Sequence, residues 1–174
     1  MDNMDISLGC RCATVTIGDH RAFLQTLHAV ADRYATHIVC FDADKLAGRR
    51  HAETAIQRAR RSFSNGTAIS NSFEMEALLY AGGTRQCSEA TRFGLHDGEN
   101  SLYVCCCPDI PAAWRELAAC MEFVPEPSGE LAPKKASRLA SLFGITADEI
   151  AAAGGSGRLP ELVLERVALL EVGK

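Results

Sequence analysis

SLYVCCC, residues 101–107, carries no charge and mixes aromatic, aliphatic and thiol side chains. It reads as the most convincing strand of the chain. On a strand successive side chains alternate faces, so Cys105, Cys106 and Cys107 cannot all converge on one metal ion. Immediately after it, Asp109 and Pro111 are cap and first-turn signals, which predict a helix over 111–122 built on Trp114, Leu117, Ala118 and Met121. Before it, Gly94 closes a short predicted helix over 86–93, and Gly82-Gly83 ends another over 73–81, FEMEALLYA.

Further towards the N-terminus, ATVTI (13–17) alternates and is β-branched, so it reads as a strand. Asp19 is placed to cap a helix over 20–34 whose Phe23, Leu24, Leu27, Val30, Ala31 and Tyr34 form one apolar stripe. HIVCF (37–41) reads as a short buried strand. Asp42 or Asp44 then opens a helix over 45–62, with Ala52, Ala55, Ile56, Ala59 and Phe63 on its apolar face. Asn65-Gly66 stops it, and TAIS (67–70) fits a short strand.

Beyond the central strand, residues 124–133 hold three prolines and a glycine. They read as an exposed loop leading into a wholly helical C-terminal part. Helices are predicted over 134–143, after the Thr146–Glu149 capping box, and from Leu159 to about Val172. Strands and helices mix without a clear βαβ rhythm. The expected fold is α+β: a small mixed or antiparallel sheet with helices packed on it and a helical C-terminal segment. The 174 residues suit a single domain spanning 1–174.

Composition narrows the function classes. Hydrophobic residues are 47% and charged residues 23%, ordinary globular usage with enough apolar material for a core. A net charge of -4 rules out a polybasic nucleic-acid binder, so any RNA contact has to come from a local patch. The opening MDNMDISLGCRC has no charged-then-apolar leader pattern, and the eight cysteines read as reduced structural thiols. The only close pair besides the triplet, Cys10-Arg11-Cys12, lacks a second ligand pair, so no metal or other cofactor is expected. No apolar run is long enough to span a membrane.

No catalytic signature is present. Neither Gly82-Gly83-Thr84 nor Gly154-Gly155-Ser156-Gly157 has the strand-to-helix context of a phosphate loop. His20, His28, His37, His51 and His96 follow no recognisable pattern, although a Cys–His nucleophile stays open. Asp42-Ala43-Asp44 fits a turn and helix cap better than a catalytic carboxylate pair.

Two features stand out. One side of the 45–62 helix carries Arg49, Arg50, Arg60 and Arg61, with Arg58 beside them and only Glu53 opposing. That is either a solvated surface or a phosphate-contacting patch. The terminal helix carries Leu159, Leu162, Val163, Leu164, Val167, Leu169 and Leu170, an arc wider than one stripe. Such an arc means deep burial or a protein partner over its outer side.

The stretch 68–90, AISNSFEMEALLYAGGTRQCSEA, resembles the kinase-binding subunit of the KEOPS complex, the family that includes the TPRKB-type proteins. Its carriers are Ser70-Asn71-Ser72, Glu74-Met75-Glu76 with Leu78-Leu79-Tyr80, and Gly83-Thr84-Arg85-Gln86. The likeness covers about 38–122 and, loosely, the C-terminal helix. The resemblance implies a cytoplasmic, non-catalytic subunit of a complex that installs threonylcarbamoyl on the adenosine beside the tRNA anticodon. Its implied partners are an atypical kinase, the tRNA 3′ CCA end and, indirectly, the threonylcarbamoyltransferase subunit. An alternative is a purely protein-binding allosteric regulator of the kinase.

On this reading Arg85 and Gln86 are the leading RNA contacts, with Ser70, Asn71 and Gly83, and with Arg49, Arg50, Arg60 and Arg61 steering the acceptor stem. Asn71 or Ser72 equally fits a helix cap, and Tyr80 a core aromatic. Leu162, Leu164, Val167, Leu169 and Leu170 are the expected kinase contacts. Leu164→Arg or Val167→Arg is then expected to abolish kinase binding with the fold intact.

Overall fold

The computed structural model describes residues 6–172, apart from the side chains of residues 171 and 172. The first five residues, part of the segment read as lacking a leader, lie outside the described residues.

Four strands make one sheet: β1 (Gly9–Ile17), β2 (His37–Asp42), β3 (Gly98–Cys107) and β4 (Glu122–Val124). Their order is β2-β3-β1-β4, and every neighbouring pair is antiparallel. SLYVCCC therefore lies on a central strand, and that position explains its composition. Tyr103, Cys105 and Cys107 are buried on one face, and Leu102, Val104 and Cys106 on the other. A strand covered on both faces has no polar side to present. β1 and β2 run parallel to each other but are separated by β3, so the βαβ unit they form with the helix between them is split.

That helix, α1 (His20–Arg33), starts where predicted: the Asp19 carboxylate accepts the Arg21 and Ala22 amides. With α5 (Pro111–Leu117) it covers one sheet face, and the Arg33–Glu116 ion pair ties the two together. The opposite face is covered by α2 (Arg49–Asn65), α3 (Phe73–Gly82) and α4 (Cys87–Ala90). The C-terminal part, α6 (Pro133–Leu142), α7 (Ala147–Ala153) and α8 (Leu159–Val172), has a small core of its own in Leu139, Ile145, Leu159 and Val163. α8 also joins the main core through Val167 and Leu170. The α+β architecture, with its antiparallel sheet and helical C-terminal segment, is as read from the sequence.

Five local readings change. Asp42 caps only a 3₁₀ turn, Ala43–Lys45, and α2 starts later, at Arg49, after the N-cap Gly48, which offers no side-chain cap. Residues 67–70 are not a strand: the Ile69 and Ser70 amides donate to the buried Glu76 carboxylate instead of to a ladder. The predicted 86–93 helix is α4 followed by a 3₁₀ turn at Thr91–Phe93. The predicted 111–122 helix stops at Leu117, because residues 122–124 pair with the free edge of β1. There Phe123 also meets Trp114 edge-on, with centroids 5.6 Å apart. Phe63, read as part of the apolar face, is 39% exposed.

Candidate binding surfaces

The over-wide apolar arc of α8 resolves into a core stripe and two flanks. Leu159, Val163, Val167 and Leu170 recur at four, four and three residues and are all buried. Val167, expected at the kinase surface, is 0% exposed, and Leu170 is buried with it against α2 and α3. An arginine at Val167 would place an unpaired charge in the core, so it cannot probe a surface. Leu162 and Leu164 are half-buried on opposite flanks. Leu169 is 59% exposed, the highest value among the described large hydrophobic side chains.

Leu169 does not stand alone. It lines an open groove with Gly83, Arg85, Leu142, Phe143 and Arg166. Leu142, at the end of α6, is 46% exposed. Arg166 is held by the Glu149 carboxylate at 2.7 Å and by the Phe143 and Gly144 carbonyls. It thereby fixes the α6–α7 turn against α8. No sequence signal pointed to Leu142 or Arg166 here, because their juxtaposition depends on how three helices pack.

The polar stretch from Ser70 to Gln86 is divided between the two ends of α3, roughly 15 Å apart along the helix. At the first end, Ser72 caps the helix: its hydroxyl accepts the Met75 amide. The Ser70 hydroxyl accepts the Ser72 amide, its own amide is taken by Glu76, and Asn71 is exposed. At the second end, Gly83 adopts φ +61° as the C-cap. A Cβ there would lie 3.5 Å from the Arg166 carbonyl oxygen, an ordinary contact with α8, so the positive φ rather than close packing favours glycine. Arg85 and Gln86 are exposed beyond it. Tyr80 is a core residue, its hydroxyl 2.6 Å from the Ser62 hydroxyl.

The arginines of α2 also separate. Arg49 bonds Glu53 at 2.6 Å, lies 3.8 Å from Glu126 and borders a cleft with Cys12 and Tyr103. Arg60 and Arg61 sit eleven and twelve residues further on, roughly 16–18 Å along the axis. Arg60 is close enough to Cys107 to lower the thiol's pKa against the rise caused by burial. Arg50 points away from the buried side of the helix and is exposed.

All eight cysteines are free thiols, and Cys10, Cys40, Cys105, Cys106 and Cys107 are buried. Burial pushes Cys106 up to about 12 and also raises Cys40, while the hydrogen bond with Cys10, together with burial, raises Cys105, which leaves little thiolate at neutral pH. Among the described residues no three His, Cys, Asp or Glu side chains converge as a metal set. His51 is the one histidine fully buried: its Nδ1 accepts the Ala47 amide at 3.0 Å and its Nε2 donates to the Ala81 carbonyl at 2.8 Å. That pattern requires the neutral ring, and burial lowers its pKa to about 4. No described helix is long and apolar enough to cross a membrane.

An exposed apolar flank on a C-terminal helix, beside an arginine-bearing groove, suits a protein whose work is to dock on another. The family model described as "Kinase binding protein CGI-121" matches residues 20–171, from the start of α1 into the last turn of α8. The chain belongs to that kinase-binding family. No curated protein matches it.

Proposed function

We propose that this protein is the kinase-binding subunit of a KEOPS-type complex. It docks on the complex's atypical kinase and recruits tRNA by its 3′ CCA end. It thereby supports threonylcarbamoylation of the adenosine next to the anticodon by the transferase subunit, without catalysing that step itself, and it works in the cytoplasm. The observation that carries the kinase half is Leu169, which extends an exposed apolar flank of α8 to Leu142 across the groove. Leu162 lies two turns earlier on the same side of the helix and Leu164 on the opposite flank, while Val167 and Leu170 support the helix from beneath.

The RNA half is supported by the exposed Asn71, Arg85 and Gln86 at the two ends of α3, by the exposed Arg50 and Arg61 on α2, and by the half-buried Ser70 and Arg60 beside them. Planar cations and amides suit the base edges and phosphates of an unpaired end. One observation favours the alternative of a kinase regulator without direct RNA contact. These groups do not form one patch, and Arg49 already serves two carboxylates.

A gel shift separates the two readings. Intact tRNA is compared with tRNA lacking its CCA end, with the kinase present and absent. The adaptor reading predicts a clear loss of affinity on removing CCA. Equal affinity for both RNAs contradicts the CCA role, and no binding in either condition leaves the regulator.

A further inference from the structure

A row of rings crosses the surface where the end of α2 and the starts of α3 and β2 meet. His37 stacks on Phe73 with centroids 4.2 Å apart and planes within 19°. Phe73 in turn meets Phe63 at 6.0 Å, tilted by 41°. Phe73 is buried between them, yet the His37 side chain keeps 49% of its surface and Phe63 keeps 39%. The Glu74 carboxylate, 3.1 Å from His37 Nδ1, fixes the imidazole in place. Core packing needs the middle ring only, so two oriented ring surfaces are left facing water.

The surroundings indicate what such a surface would take. Arg60 and Arg61 lie on the same last turns of α2 as Phe63. Arg60's charge reaches Cys107, the residue opposite His37 in the ladder. Asn71, exposed, lies two residues before Phe73. Flat π surfaces beside cations and an amide match the bases and phosphates of an unpaired nucleic-acid strand. A protein's apolar anchor would meet the rings but draw nothing from the positive charge of the arginines or from the amide.

We propose that the His37–Phe73–Phe63 row is a stacking platform for unpaired bases of a single-stranded RNA end, whose phosphates lie towards Arg60 and Arg61. This rests on the RNA half of the proposed function. It moves the centre of that contact to the Ser70–Asn71 end of α3, away from Gly83–Gln86.

The test is fluorescence anisotropy with a short labelled unpaired RNA ending in CCA, titrated with the full chain alone and with the kinase added. His37→Ala and Phe63→Ala each weaken binding by about tenfold or more. Phe63→Leu, which keeps bulk but no ring, weakens it similarly. His37→Phe keeps a ring, gives up the Glu74 bond and binds like the wild type. Circular dichroism checks that each variant is folded. If the wild type binds RNA and Phe63→Leu binds equally well, the platform is wrong and the RNA reading stands. If the wild type binds no RNA under either condition, both fail. Loss of kinase binding with RNA binding intact would make the row a protein-docking face and overturn the platform.

Discussion

His51 shows how much of this fold rests on single buried polar groups. Its ring joins the start of α2 to the end of α3 and packs edge-on against Phe143 of the C-terminal part, with centroids 5.6 Å apart. Protonating it would remove the acceptor at Nδ1 and place a charge in the core. Its folded pKa, about 4, lies below the ordinary 6.5. The unfolded chain therefore binds the proton first. The stabilisation is fully present above pH 6.5 and is lost as pH falls towards 4, a change of about 3 kcal/mol. An NMR titration of the His51 ring should give a midpoint near 4, and a midpoint near 6.5 would show the ring to be solvated. Asp19, Ser72 and Thr146 were legible as caps because each bonds an amide two or three residues ahead. His51 and Glu76 were not. One reaches thirty residues forward to Ala81, and the other takes two amides from a loop that the sequence presents as a possible strand.

At the scale of elements, α8 carries the sharpest contrast. Two residues apart on one helix stand a fully buried valine and the most exposed described leucine. Val167→Arg is expected to cost at least about 3 kcal/mol or to prevent folding, since it buries a charge without a partner. Leu169→Arg is expected to stay within about 0.5 kcal/mol of the wild type, as surface substitutions do. Urea unfolding of both variants checks the pair. Two equal losses would mean that Leu169 is packed rather than exposed. The composition of α8 announced an arc too wide for one stripe, but not which leucines face inward, because that depends on where α2, α3 and α6 sit. β4 was missed for a related reason. Three residues carry little period, and their strand character comes from the edge of β1 that they pair with.

For the whole molecule, the split sheet explains how much was legible. The central strand, covered on both faces, announces itself by composition alone. The helices around it follow from stripes and caps. What the sequence could not give is which distant segments share a surface. The Gly83–Arg85 turn and α8, read as two separate faces, line one groove. The RNA contacts expected at Ser70, Asn71, Gly83, Arg85 and Gln86 are divided by the length of α3. On the function proposed above, the apolar docking flank lies on the C-terminal helix, with cationic groups distributed around the α2–α3 pair.

The claim at the centre of this account is that the exposed flank of α8 holds the kinase. Isothermal titration of the atypical kinase against the wild-type chain and against Leu169→Arg tests it most directly. The account predicts a folded variant whose affinity for the kinase falls by roughly thirtyfold or more, as for a residue at the centre of an interface. A folded Leu169→Arg chain that binds the kinase with unchanged affinity would contradict it.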